Sequence, residues 1–356
     1  MALAALLSFR LGGADGVSIE AAKWALLLRD LGWDVRTVAG AGPADAYVSG
    51  LDFHDAEVPS EAAVRAAVED CDVVVVENLL SLPLKLSASR VVARVLRDRP
   101  AILRHFDLAW QRERFAASDE LPPVDSRWRH VVVNRLSQQQ LAQRGIAATL
   151  LPLGFPTPVA GRRREMRAAM GLGEAEVLQL QPTRAIARKG LPDAIAFAEG
   201  LGAVLWITGP TEEGYEETLA TLLRAAKGRV IRGWPDAAPE PPWTMDDAYA
   251  ACDLVSFPSR WEGFGLPMIE AALHRKALVA RTYPVAREFA EAGLRWIDID
   301  GPDPVARARE ALDPAARDST AAWLDHNVGV ATTRYSDAAA RNRLEDLLAS
   351  MRLGSP

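Results

Sequence analysis

Glu69-Asp70-Cys71-Asp72-Val73-Val74-Val75-Val76 ends a helix-like segment, turns at Cys-Asp and enters a run of four valines. So apolar and β-branched a run predicts a strand covered on both faces, as parallel strands are between two helical layers. The same order returns downstream as Ala250-Ala251-Cys252-Asp253-Leu254-Val255-Ser256-Phe257. The echo predicts two similar units in one chain. Both cysteines stand at strand entrances, where a small apolar side chain packs well.

Working outward, the first half offers strands at residues 2–9, 35–39, 73–76, 102–105, 131–133 and 150–153. The second offers 177–181, 204–208, 230–232, 254–258, 277–280 and 296–299. Helix-like segments separate them; residues 18–31 place Ala22, Leu26 and Leu27 on one side. Strands alternating with helices predict an α/β fold of two Rossmann-like, doubly wound parallel-sheet domains. Residues 155–164 hold two prolines, a glycine and three arginines and read as the linker. The predicted domains are therefore 1–155 and 156–330, with a helical tail at 331–356. Residues 319–351 read as helix, and the last four residues as frayed.

The chain has 356 residues, with 41 Lys+Arg against 47 Asp+Glu, a net charge of −6. With 49% hydrophobic and 25% charged residues, it is neither disordered nor fibrous. Mild acidity argues against a nucleic-acid partner, which calls for a basic stripe. Two cysteines exclude a disulfide framework and a four-cysteine zinc site, and fit a reducing cytoplasm. No stretch approaches the ~20 apolar residues of a membrane span. The apolar opening lacks a basic leader and a small-residue cleavage site, so it reads as a strand and not a signal peptide. The expectation is a cytoplasmic protein.

Chemistry concentrates in Pro258-Ser259-Arg260-Trp261-Glu262-Gly263-Phe264-Gly265-Leu266-Pro267-Met268-Ile269-Glu270-Ala271-Ala272. A strand ends, a glycine loop follows, and an apolar helix starts near Pro267. Proline suits the first helical turn, where its missing N–H has no partner to lose. Loop amides and a helix N-terminus then converge on one spot, which suits an anion such as a phosphate. Glu262 in the loop and Glu270 one turn into the helix flank it. In Pro182-Thr183-Arg184-Ala185-Ile186-Ala187-Arg188-Lys189-Gly190, Arg184 and Lys189 can reach one point. Two cations suit a diphosphate whose charge grows as it leaves. Arg188 between them reads as a solvated face.

These two stretches resemble the E-x7-E signature and the Arg…Lys-Gly motif of retaining glycosyltransferases of the GT-B fold, family 4 in particular. The resemblance spans residues 5–345 and is strongest from 177 to 280. It implies two domains facing across a cleft, acceptor in the first and nucleotide-sugar donor in the second, with the last helix crossing back onto the first. It implies that Glu262 contacts the donor sugar, that Gly263, Phe264, Gly265 and Leu266 hold sugar and diphosphate through their amides, and that Glu270 binds the ribose. Gly12, Gly13 and Gly16 match the family's N-terminal glycine loop, which approaches the donor phosphate. His105 matches a histidine that contacts the hexose. Base recognition is expected near Gly209 and Arg232-Gly233-Trp234.

Acceptor candidates are Asp107, Arg104, Trp110, Glu77 and Asn78, near strand ends where ligands gather in this architecture. Trp110 and Trp261 could stack on a sugar or acceptor, and the other eight tryptophans are assigned to the core. Asp298-Ile299-Asp300 reads as a surface turn and not a metal motif, and Arg162-Arg163-Arg164 as a solvated face. The basic stretch 85–99 reads as a solvated face, with contact to anionic lipid headgroups as the other reading. Three departures from the family stand out: Arg275 and Ala277 replace a Gly and a Pro, no Asn precedes Gly154, and Thr282-Tyr283-Pro284-Val285 replaces a Gly-Gly.

The function implied is transfer of a hexose from a UDP- or GDP-linked donor to an acceptor hydroxyl with retention, catalysed by Glu262, His105, Arg184 and Lys189. The acceptor is a small molecule, a glycan or a lipid-linked molecule. Neither metal nor other cofactor is expected, nor a nucleic-acid partner; peripheral membrane contact stays open. An epimerase on the same fold, a phosphorylase, a non-catalytic sugar-nucleotide binder and a dehydrogenase are the rival readings. No lysine has the context of a pyridoxal Schiff base, and no spaced glycine fingerprint precedes a ribose-binding acid.

Overall fold

A computed structural model describes residues 2–13, 15–118, 120, 122–236 and 239–351. The chain divides into two compact units: Met1–Gly154 with Asp337–Pro356, and Phe155–Ser336.

The first unit is built on β1 (Leu3–Arg10), β2 (Asp34–Ala41), β3 (Ala46–Tyr47), β4 (Val73–Glu77), β5 (Ala101–His105), β6 (Trp128–Val132) and β7 (Ala148–Leu150). They form one sheet in the order β3-β2-β1-β4-β5-β6-β7, and every pairing is parallel. Four helices alternate with them: α1 (Gly16–Asp30), α2 (Glu61–Val68), α3 (Leu86–Leu96) and α4 (Arg135–Ala142). The valine run explains the layering. Successive side chains of a strand point to opposite faces. Val74 and Val76 therefore join Val64 and Val68 of α2 and Val91, Val92 and Val95 of α3. Val73 and Val75 join Trp24, Ala25 and Leu28 of α1.

The second unit repeats the plan with β8 (Leu178–Gln181), β9 (Val204–Ile207), β10 (Val230–Arg232), β11 (Leu254–Phe257), β12 (Ala277–Ala280) and β13 (Ile297–Asp298). Their order is β10-β9-β8-β11-β12-β13, again parallel throughout. Its helices are α5 (Arg163–Ala169), α6 (Leu191–Leu201), α7 (Glu216–Ala225), α8 (Met245–Ala251), α9 (Leu266–Leu273), α10 (Ala286–Glu291), α11 (Pro304–Leu312) and α12 (Arg317–Tyr335). The last helix, α13 (Asp337–Ser350), belongs to the first unit. Its Ala340, Leu344, Leu347 and Leu348 complete the layer that holds Trp24.

The structure departs from the sequence reading in several places. The strand expected at 150–153 is β7, at 148–150: Pro152 has no N–H to continue a ladder, although Leu151 and Leu153 stay buried. The single helix expected over 319–351 breaks at Ser336, which is extended. There Phe155 N donates to Tyr335 O at 2.8 Å. Arg162 and Arg163 are not a solvated face. Arg162 forms an ion pair with Asp247 at 2.7 Å and Arg163 one with Asp253 at 2.7 Å. Of the eight tryptophans assigned to the core, Trp24, Trp33, Trp128 and Trp206 are buried, while Trp234 is exposed and Trp243, Trp296 and Trp323 are half-buried. The cations of the 85–99 stretch are largely engaged: Lys85 donates to Asp52 O and Asp55 O, Arg90 pairs with Glu120, Arg94 with Glu61, and Arg99 caps carbonyls of residues 68–71. The last four residues lie outside those described, and so does Ala14 of the glycine loop.

Candidate active site

In the second sheet the order reverses between β8 and β11. The connections that follow two such neighbours leave in opposite directions and open a crevice at the strand carboxyl ends. The loops bearing Lys189 and Glu262 follow these two strands. They are fastened backbone to backbone: Arg260 N donates to Arg188 O at 2.9 Å. Gly190, at φ +68°, lies so close that a Cβ would stand 2.3 Å from Pro258 O. Gly209, after β9, is equally close to Thr183 O, at 2.4 Å for a Cβ.

This fastening brings three charges together. Lys189 Nζ donates to Glu262 Oε1 at 2.5 Å. Arg188 Nη1 donates to Glu262 Oε2 at 2.7 Å and to Trp261 O at 2.8 Å. Lys189 is 8% exposed and Glu262 7%. Burial pushes the Glu262 carboxyl up, but the charges of Lys189 and Arg188 and their hydrogen bonds outweigh it and hold the group at about 2. Burial brings Lys189 down to about 8 against the pull of Glu262. Arg188, read as a solvated face, is instead the second cation on Glu262.

The rest of the loop is held by aromatic groups. Phe264 is buried, with ring centroids 5.1 Å from Phe289, 5.9 Å from Tyr335 and 6.3 Å from Phe155. Gly265 sits at φ +111° directly before α9, and a Cβ there would stand 1.9 Å from Tyr283 Oη. That hydroxyl donates to Phe264 O at 2.7 Å. Gly263 and Leu266 are half-buried on either side of this anchor. Pro267 occupies the first turn of α9, where no side chain caps the helix, so the N-terminus keeps its anion-favouring character. Glu270, on α9, accepts from Tyr249 Oη at 2.7 Å. Arg184 does not join Lys189: its guanidinium pairs with Glu212 at 2.6 Å.

The first unit treats its candidates differently. His105 is fully buried, with Nδ1 2.6 Å from Ser81 Oγ and Nε2 3.0 Å from His130 Nδ1. Both ring nitrogens thus lie within hydrogen-bond distance of partners inside the unit. Burial holds His105 well below the usual histidine range. Arg104 and Glu77, expected to face an acceptor, are also fully buried and pair with each other at 2.7 Å. Arg104 lies 3.9 Å above the Trp24 ring. Asn78, at φ +57°, is buried and accepts from Phe106 N at 3.1 Å. Trp110 donates to Gln140 at 2.9 Å beneath Arg144. Asp107 pairs with Arg112, and its Oδ1 has no hydrogen-bond partner among the described residues. Gly12 is at φ +72°, Gly13 stands against Asp15, and Gly16 opens α1. Asp15 already caps that helix, accepting from Val17 N and Ser18 N at 3.1 Å.

Sequence reasoning missed Tyr249, Tyr283 and the role of Arg188. Only Arg188 left a signal, since adjacent cations can straddle one carboxylate. Asp298 accepts from Thr282 at 2.7 Å and Asp300 pairs with Arg281 at 2.6 Å. Among the described residues no cluster of three His, Cys, Asp or Glu could hold a metal ion, and no helix is long and apolar enough to cross a membrane.

Residues 190–313 match the family "Glycosyl transferases group 1". The chain is 23% identical to mannosylglucosylglycerate synthase of Thermotoga maritima, an alignment covering 83% of this chain and 84% of that protein. Anabaena HepE, solved with UDP and glucose, superposes with a TM-score of 0.75 at 17% identity over 98% of this chain and 99% of its own. Sucrose-phosphate synthase from Thermosynechococcus elongatus gives 0.74 at 16%, over 99% of both chains. Both units together carry the GT-B fold of these structures, and the second unit carries the match to the glycosyltransferase family.

Proposed function

We propose that the protein is a retaining, metal-independent hexosyltransferase of family 4 type, using a UDP- or GDP-linked donor bound by the second unit and an acceptor hydroxyl bound by the first. The observation that carries this reading is the buried Lys189–Glu262–Arg188 cluster beside the uncapped N-terminus of α9. Lys189, Arg184 and the loop amides of residues 263–266 stabilise the departing diphosphate, Glu262 holds the sugar and Glu270 the ribose. In the first unit Asp107 is assigned to the acceptor.

Glu262 makes a poor base: a carboxylate held at about 2 by two cations does not take a proton from an alcohol near neutrality. A same-face route follows. The bond from the anomeric carbon to the phosphate oxygen breaks as the bond to the acceptor oxygen forms. The acceptor proton passes to the departing phosphate oxygen. The protein's part is to stabilise growing diphosphate charge with fixed dipoles and cations. The UDP and glucose in HepE support a nucleotide-sugar donor.

The test is proton NMR of the product formed from UDP- and GDP-hexoses, with and without chelator. The expected product keeps the donor's anomeric configuration and forms at the same rate with chelator. Inversion would overturn the same-face route. Strict dependence on Mg²⁺ or Mn²⁺ would overturn metal independence and return attention to Asp298 and Asp300.

A further inference from the structure

We infer that Lys189 changes partners when a donor arrives, leaving Glu262 for the diphosphate, and that Arg188 is the positioning residue that makes the exchange possible. The inference rests on the reading that the loops after β8 and β11 hold a nucleoside diphosphate.

Glu262 carries its two cations on opposite oxygens, Lys189 on Oε1 and Arg188 on Oε2. Only 7% of Glu262 is exposed, so solvation replaces either cation poorly. A buried carboxylate deprived of every cation is costly. A lone lysine bound to it would therefore be trapped. The second cation removes the trap, because Glu262 keeps one ion pair when Lys189 turns away. The two side chains suit these parts. A guanidinium is a rigid fork, here fixed on Trp261 O as well as on the carboxylate, whereas lysine is a point charge on a flexible stem. Arg184 does not take the place of Arg188, since its guanidinium lies on Glu212 and not on Glu262.

The consequence is a pair of opposite effects on binding a nucleoside diphosphate that lacks the sugar. Neutralising Glu262 releases Lys189 and strengthens binding. Neutralising Arg188 leaves Lys189 as the sole counter-charge of Glu262 among the described residues and weakens it. Residues that merely support the loop would weaken binding in both cases.

The experiment is calorimetric titration of the full chain with UDP, GDP and ADP, continued with whichever binds wild type tightest. The variants are Lys189→Gln, Glu262→Gln, Arg188→Gln, Arg188→Lys and the double variant Glu262→Gln/Arg188→Gln. One charge-assisted hydrogen bond corresponds to about tenfold in affinity. Expected are about tenfold tighter binding for Glu262→Gln and about tenfold weaker binding for Arg188→Gln. Arg188→Lys should lie between Arg188→Gln and wild type, and the double variant should match Glu262→Gln. Shifts of Glu262→Gln and Arg188→Gln in the same direction, or no shift in either, with Lys189→Gln still weakening binding, overturn the exchange alone. No binding of any nucleotide, or no effect of Lys189→Gln, overturns the donor-site reading and the exchange with it.

Discussion

Replacing Gly265 by alanine tests how tightly the loop before α9 is built. Three costs follow from the structure. At φ +111° a Cβ adds about 1–2 kcal/mol of backbone strain. That Cβ would stand 1.9 Å from Tyr283 Oη, and Tyr283 is 1% exposed, so the ring has no solvent to swing into. Repacking costs about 1–3 kcal/mol. Displacing the hydroxyl from Phe264 O adds about 1 kcal/mol. The sum is roughly 3–6 kcal/mol, or roughly 6–24 °C in the melting of a unit this size. Removing the hydroxyl should relieve the clash, because the next atoms are Tyr283 Cζ at 3.1 Å and Phe257 Cε1 at 3.3 Å. Tyr283→Phe should therefore cost about 1 kcal/mol in wild type yet recover stability on the Gly265→Ala background. Differential scanning calorimetry of the four proteins reads both effects. A Gly265→Ala protein melting within about 2 °C of wild type, or a Tyr283→Phe cost equal in both backgrounds, would refute the reasoning.

Lys189→Ala and Arg184→Ala should each lower turnover at saturating donor by on the order of 10²-fold or more, as removal of a charge stabiliser does; rates near wild type would remove those roles. Nucleoside diphosphate affinity should fall as pH rises above about 8, where Lys189 loses its proton, and Lys189→Arg should flatten that profile in a calorimetric pH series. In the first unit, burial depresses His130 to about 4 and holds His105 well below the ordinary value of 6.5. Depressed native values mean that the unfolded chain binds more protons, so this contribution is complete above about 6.5 and is lost as pH falls toward 4. Urea unfolding at pH 7.0, 6.0 and 5.0 should follow that slope, and His130→Gln should reduce it.

The fold was legible because it depends on patterns the chain repeats. Valine and leucine runs between amphipathic stretches can be satisfied by a parallel sheet between helical layers, and the Cys-Asp echo exposed the repetition. The loop before α9 was legible because Gly265 and Pro267 meet backbone demands that few residues satisfy. What stayed hidden depends on partners distant in sequence. Tyr283 reaches Phe264 O from beyond β12, and Tyr249 reaches Glu270 from α8. The partners of His105 and Arg104 stayed hidden for the same reason. Both lie at the carboxyl end of β5, where Ser81, His130, Glu77 and Trp24 enclose them. Arg188 and Lys189 are adjacent in sequence, and only the position of Glu262 shows that both serve one carboxylate.

The most direct measurement is a thermal-shift titration of wild type and Lys189→Ala with UDP-, GDP- and ADP-hexoses. At 100 times its dissociation constant, the true donor should stabilise wild type by about 2.7 kcal/mol, and at that concentration Lys189→Ala, binding about tenfold more weakly, should lose about half of the gain. Equal stabilisation of both proteins, or none by any nucleotide sugar, would contradict a donor site centred on Lys189 and Glu262.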